Sequence, residues 1–177
     1  MTDRPGDTEA PGDTEALPPP RTPGRYRVAL VCLGNICRSP MAHVVLADQV
    51  AAAGLDDRVE VVSAGTAGWH VGKPMDERAA ATLARAGHDP TRHRARQFEP
   101  SWHQDCDLVL VMDRSNLAEV GGETPRVRLF RAFDPENPGG EVPDPYYGGE
   151  QGFTEVMSMV ERTSTHLVRL LSDAVAP

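Results

Sequence analysis

Apolar residues along the chain come in short runs that alternate with segments of helical spacing. Residues 28–33 form a continuous apolar run with β-branched side chains, the pattern of a buried strand. Ser39-Pro40 then supplies an N-cap residue followed by proline at the first helical position. Met41, Val44 and Val45 give that helix its apolar stripe, and Gly54 ends it. The alternation repeats. A strand over 58–63 precedes a helix over 76–86 that stops at Gly87, and a strand over 108–112 precedes a short helix over 115–120. A fourth strand covers 127–130. Phe153, Val156, Met157, Val160, Leu167, Leu170 and Leu171 mark one face of a long C-terminal amphipathic helix. Strands alternating with helices predict an α/β fold: a small, doubly wound, four-stranded parallel sheet with helices on both faces. Such sheets bind ligands beyond the carboxyl ends of their strands.

The first 24 residues break this pattern. The hexapeptide PGDTEA occurs twice, at 5–10 and 11–16, and leads into Leu17-Pro18-Pro19-Pro20. A stretch so poor in apolar side chains buries too little area to offset its ordering entropy. Residues 1–24 are therefore expected to be a disordered tail, and 25–175 one domain, in keeping with a length of 177 residues. No apolar run approaches the ~18 residues of a membrane span, and the start of the chain lacks the apolar core of a secretory signal. A net charge of −8 with no basic block argues against a nucleic acid partner. Three cysteines, an odd number, make no disulfide framework and point to a reducing cytoplasm. Nor do they make a zinc site, because Cys32 and Cys37 are the one close pair and Cys106 stands apart. No metal or cofactor is expected.

The chemistry concentrates between the first strand and the first helix. Cys32 closes the strand, and Leu33, Gly34, Asn35, Ile36, Cys37 and Arg38 lead to the helix start. Successive backbone N–H groups at such a place can turn inward to cradle an anion, aided by the positive end of the helix dipole. Gly34 and Asn35 are residues that readily take the left-handed conformation a tight cradle demands. The same surroundings favour a thiolate at Cys32. Arg38 offers a planar fork matched to two phosphate oxygens, and Ser39 a hydroxyl within reach of the sulfur. Nucleophile, cradle and clamp together indicate phosphoryl transfer to cysteine. A nucleotide-binding loop of the Walker type is excluded, since no lysine follows the glycine.

The stretch VCLGNICRSPMA resembles the signature of the low-molecular-weight protein tyrosine phosphatases. The resemblance continues in order through Ser63-Ala64-Gly65, HRARQ from His93, VMDRSNL from Val111 and DPYYGG from Asp144, and so spans roughly 150 residues. It implies hydrolysis of phosphotyrosine in proteins, without metal, with Cys32 as nucleophile, Arg38 as phosphoryl clamp and Asp144 as general acid. It further implies that Asn35, Ser63 and His93 support the loop, and that Cys37 pairs reversibly with an oxidised Cys32. Leu33, Gly34, Ile36 and Ser39 would complete the phosphate site, and Trp69, Tyr146 and Tyr147 would wall a slot deep enough for a phenyl ring, with His70 at its mouth. Partners would be tyrosine-phosphorylated proteins, with inorganic phosphate as product and inhibitor. Two related activities fit less well. Arsenate reductases of this fold need further cysteines near residues 85–95, where this chain has none. Protein arginine phosphatases carry threonine where Ile36 stands and lack the second tyrosine of DPYY.

Overall fold

The computed structural model describes residues 16–177. Strands β1 (Tyr26–Cys32), β2 (Val59–Gly65), β3 (Leu108–Val111) and β4 (Val127–Leu129) form one parallel sheet in the order β2-β1-β3-β4. Helix α1 (Arg38–Ala52) follows β1, α2 (Glu77–Arg85) and α3 (Trp102–Asp105) lie between β2 and β3, and α4 (Arg114–Glu119) follows β3. A 3-10 turn, Phe130–Phe133, and the long α5 (Glu150–Ala174) complete the chain. The expected four-stranded doubly wound sheet is present, and each strand falls within two residues of its predicted bounds.

Strand β1 shows why the run at 28–33 is apolar throughout. Val28 and Leu30 join the larger core with Val45 and Leu46 of α1 and Val160 and Leu167 of α5. Ala29 and Val31 face the opposite layer, with Val109, Val111, Val62 and Trp102. A strand covered on both sides cannot alternate apolar with polar residues. Because β1 is followed in space by β2 on one side and β3 on the other, the strand order reverses between β1 and β3. Their carboxyl ends therefore open a crevice at the switch point. Cys32 ends one of those strands and Asp113 follows the other.

Three features depart from the sequence reading. Helix α1 starts two residues early: Cys37 is its N-cap, without a side-chain cap bond, and Ser39 lies inside the first turn. Pro40 is tolerated there because the first-turn N–H groups lack intrahelical acceptors anyway. Helix α3 and the 3-10 turn, each of four residues, are too short to show a periodicity. Residues 17–21, expected to lie in the disordered tail, pack against the domain. Leu17 packs against the core, and the carbonyls of Pro18 and Pro19 accept from Tyr26 Oη (2.9 Å) and Arg126 Nη2 (2.9 Å). The Arg21 N–H donates to buried Asp107 at 2.7 Å, and its guanidinium reaches the Cys106 and His103 carbonyls. Prolines restrict the unfolded chain, so this extended strap loses less entropy on docking than its apolar content alone would allow. Residues 1–15 of the tail expected over 1–24 lie outside the described residues. No helix of the described residues is long and apolar enough to cross a membrane.

Candidate active site

Asn35 is the only non-glycine among the described residues with a left-handed backbone, at φ 57°. That conformation costs about 1 kcal/mol or more, so its surroundings must hold it. They do so from Ser39 close by and from two distant segments, Ser63 and residues 93–96. Its Oδ1 accepts the Arg96 N–H (3.0 Å), and its carbonyl accepts from His93 Nε2 (2.7 Å), which therefore carries the ring proton. Its Nδ2 donates to Ser39 Oγ (2.8 Å) and Ser63 Oγ (3.1 Å). Gly34, also expected to be left-handed, is not. A Cβ there would instead sit 3.1 Å from the His70 ring. The more demanding glycine is Gly65, where a Cβ would lie 2.7 Å from the Leu33 carbonyl oxygen and 3.0 Å from the Asn35 nitrogen. The end of β2 must be bare for the loop to fold over it.

The loop's carbonyls are turned outward. Those of Cys32 and Leu33 accept from Thr66 and Ala67 N–H (both 2.9 Å), that of Asn35 from His93, and that of Ile36 from the Asp76 N–H (2.8 Å). In a trans peptide the N–H points opposite to the carbonyl. The N–H groups that follow these carbonyls thus face the hollow, and the N-terminus of α1 closes it with the positive end of its dipole.

Cys32 lies at the floor, 3 % exposed, with its sulfur 3.0 Å from Ser39 Oγ. Ser39 Oγ already accepts from Asn35 Nδ2, so its own proton is shared between the sulfur at 3.0 Å and the more distant Ala64 carbonyl at 3.4 Å. Burial pushes the Cys37 thiol well above the ordinary range, reinforced by Asp76, Cys32 and Asp144. Cys37 is thus held protonated beside Cys32, and both are free thiols. Arg38 is buried, with Nη1 donating to Asp113 Oδ2 (2.6 Å) and to the Val142 carbonyl (3.1 Å), and Nη2 3.7 Å from Asp144 Oδ2. Burial alone would weaken this cation; the charges of Cys32, Asp113 and Asp144 outweigh it.

The two carboxylates differ. Asp113 caps α4, its Oδ1 accepting the Asn116 N–H at 2.8 Å, so both of its oxygens are committed. Asp144 accepts the Tyr146 N–H through Oδ1 (3.1 Å) and is 38 % exposed at the lip of the cavity. The cavity itself holds about 180 Å3. Leu33, Gly34, Ile36, Cys37 and Arg38 line it below, with Cys32 at its base. Trp69, His70, Asp144, Tyr146 and Tyr147 line it above. Trp69 and Tyr147 are largely exposed, and the Tyr146 and Tyr147 rings meet edge to face at 5.0 Å.

A family model for low molecular weight phosphotyrosine protein phosphatase matches residues 27–176. The chain belongs to that family. A Streptomyces coelicolor protein named low molecular weight protein-tyrosine-phosphatase is 47% identical over 158 residues, covering 85% of this chain and 96% of that one. Low molecular weight protein-tyrosine phosphatase A of Mycobacterium tuberculosis is 47% identical over 139 residues, 76% of this chain and 84% of its own. Among solved structures, YfkJ from Bacillus subtilis superposes with a TM-score of 0.78 at 31% identity, covering 84% of this chain and 96% of that chain. The family's reaction is hydrolysis of phosphotyrosine through a cysteinyl phosphate.

All the site residues expected from this phosphatase's sequence meet around one hollow or in the network beneath it. One supporting residue was not foreseen. His43 Nδ1 lies 2.9 Å from Ser63 Oγ and extends the chain Cys32–Ser39–Asn35–Ser63 by one more link. Its position four residues after Ser39 on the same helix was the available signal.

Proposed function

We propose that Cys32, Arg38 and Asp144 divide the chemistry of a cytoplasmic phosphotyrosine protein phosphatase between them. The Cys32 thiolate attacks phosphorus while the tyrosine oxygen departs on the opposite side, giving a phosphocysteine and a free phenol. Inward N–H groups and the Arg38 fork take up the charge on the three equatorial oxygens. Asp144 gives its proton to the departing oxygen, then takes one from the water that releases inorganic phosphate, which also competes with substrate for the cradle. Trp69, Tyr146 and Tyr147 flank the ring of the substrate, and the depth at which Cys32 lies disfavours the shorter phosphoserine and phosphothreonine. Free, buried thiols at 32, 37 and 106 suit a reducing compartment.

The contrast between the carboxylates carries this reading. Asp113 has both oxygens engaged, whereas Asp144 stands at the lip with an oxygen directed toward Arg38 rather than tied to backbone. Asp144→Ala tests it across aryl phosphates. A phenol with pKa near 10 leaves badly as the anion and needs the proton; a nitrophenol needs it far less. The variant should lose about 10²–10⁴-fold on the poor leaving group and much less on the good one. Equal losses along the series would remove Asp144 from the role of proton donor.

A further inference from the structure

Asp144 stands on a segment with little support of its own. Within residues 144–148 the hydrogen bonds are Tyr146 N–H to Asp144 Oδ1 (3.1 Å) and Gly148 N–H to the Pro145 carbonyl (3.0 Å). Among the described residues, the backbone of this segment is hydrogen-bonded to another element at two carbonyls, and both partners belong to one side chain. Arg78 Nη2 donates to the Tyr146 carbonyl (2.9 Å) and Nη1 to that of Gly148 (3.1 Å). The same guanidinium lies 5.6 Å from the centre of the Tyr146 ring and 4.7 Å from that of Phe153, at the start of α5.

The other side of the fork is gripped by Asp76. Nε donates to Oδ1 and Nη2 to Oδ2, each at 3.2 Å. Asp76 is itself fixed, because Oδ1 caps α2 by accepting the N–H groups of Arg78 (2.8 Å) and Ala79 (3.4 Å). Its own N–H donates to Ile36 in the phosphate cradle at 2.8 Å. An unbroken path of hydrogen bonds thus runs from the cradle through Asp76 and Arg78 to the segment that carries Asp144. Arg78 does not line the cavity and reaches neither Cys32 nor Arg38.

We propose that Arg78 is the positioning residue for Asp144, clasping residues 144–148 by two carbonyls and registering them against the cradle through Asp76. This rests on Asp144 being the proton donor. A planar guanidinium can span two carbonyls and a carboxylate at once; an ammonium cannot hold that fork geometry. Release of the clasp leaves the cradle and nucleophile in place but lets the acid drift from the leaving oxygen. A misplacement of about 1 Å is enough for a loss on the order of 10²-fold.

The test compares Arg78→Gln, Arg78→Lys, Asp144→Asn and the Arg78→Gln/Asp144→Asn double variant in the full chain. Substrates are phenyl phosphate and nitrophenyl phosphate, with inorganic phosphate as inhibitor. Arg78 is partly exposed at the second position of α2, and thermal unfolding of each variant would check that it folds. Arg78→Gln should lose roughly 10–10²-fold in kcat on phenyl phosphate, clearly less on the nitrophenyl ester, and leave phosphate inhibition unchanged. Arg78→Lys should fall between it and the parent, and amide exchange at residues 146–148 should quicken in both. The double variant should be no slower than Asp144→Asn alone. Equal losses on both esters in Arg78→Gln, or additive loss in the double variant, would overturn the positioning role while Asp144→Asn still discriminates between esters. An Asp144→Asn enzyme that fails to discriminate would overturn the proton-donor reading itself, and this inference with it. If Arg78→Gln does not fold, the Lys variant carries the same comparison.

Discussion

Replacing His43 by glutamine should flatten the acid side of the phosphatase's stability profile. Burial foremost, then the electrostatic influence of His93 and Arg96, lowers the pKa of His43 from 6.5 to about 4, against the support of the Val61 carbonyl. Asp48, Asp89 and Arg92 line the same hollow beside it. Below pH 6.5 the unfolded chain binds a proton that the folded protein refuses. Stability from this group is therefore complete above about 6.5, falls as pH drops toward 4, and levels off below that, where both states are protonated. Between pH 7 and pH 5 the loss is about 2 kcal/mol, or about 4–8 °C in Tm for a protein of this size. Urea unfolding at pH 7, 6 and 5 and constant ionic strength would measure it in the parent and in His43→Gln. Carboxylates titrate alike in both, so the difference between the two proteins isolates the histidine. The parent's advantage over the variant should shrink by about 2 kcal/mol across that range. Parallel profiles would show that His43 is charged in the folded state or freely solvated, and the network drawn through it would be wrong.

Two further perturbations address the loop itself. Gly65→Ala drives a Cβ to within 2.7 Å of a backbone oxygen that cannot move aside, which should cost about 1–3 kcal/mol in urea unfolding and weaken phosphate inhibition as the cradle shifts; unchanged phosphate affinity would mean that the loop has room to spare. Asp113→Asn deprives the buried Arg38 of its shortest ion pair, at 2.6 Å, and should destabilise the phosphate-free protein by about 1.5–3 kcal/mol. Added phosphate should then raise the variant's Tm more than the parent's, because the anion supplies the missing partner; equal increments would refute that balance.

The sheet, the long helices and the cradle were legible because each has a local signature. Residues 28–33 are apolar without a break, Gly54 and Gly87 end helices in left-handed conformations, and Asp76 caps α2. What escaped depends on partners far along the chain. Ser39 was expected both to cap the helix and to reach the Cys32 sulfur; the second holds and the first does not, and the bond it accepts from Asn35 was not foreseen. His43 and Arg78 were not singled out, since nothing near them in sequence announces Ser63 or the carbonyls of 146 and 148. The proline-rich strap at 16–24 lacks apolar content and docks through Arg21 and Asp107, 86 positions apart. Asp144 and Asp113 are told apart by hydrogen-bond occupancy, which composition cannot express.

The left-handed Asn35 also bears on the order in which the protein comes together. Its supports arrive from Ser63, His93 and Arg96, at separations of 28, 58 and 61 residues. Contacts that close loops of such length form only after much of the chain is already compact. A partly folded chain with β1 and α1 in place but residues 93–97 still free has a cysteine at the right address and no cradle above it. Turnover should therefore be a late event in refolding, trailing the recovery of helical signal. The onset of catalysis would then serve as an internal clock for the completion of the fold.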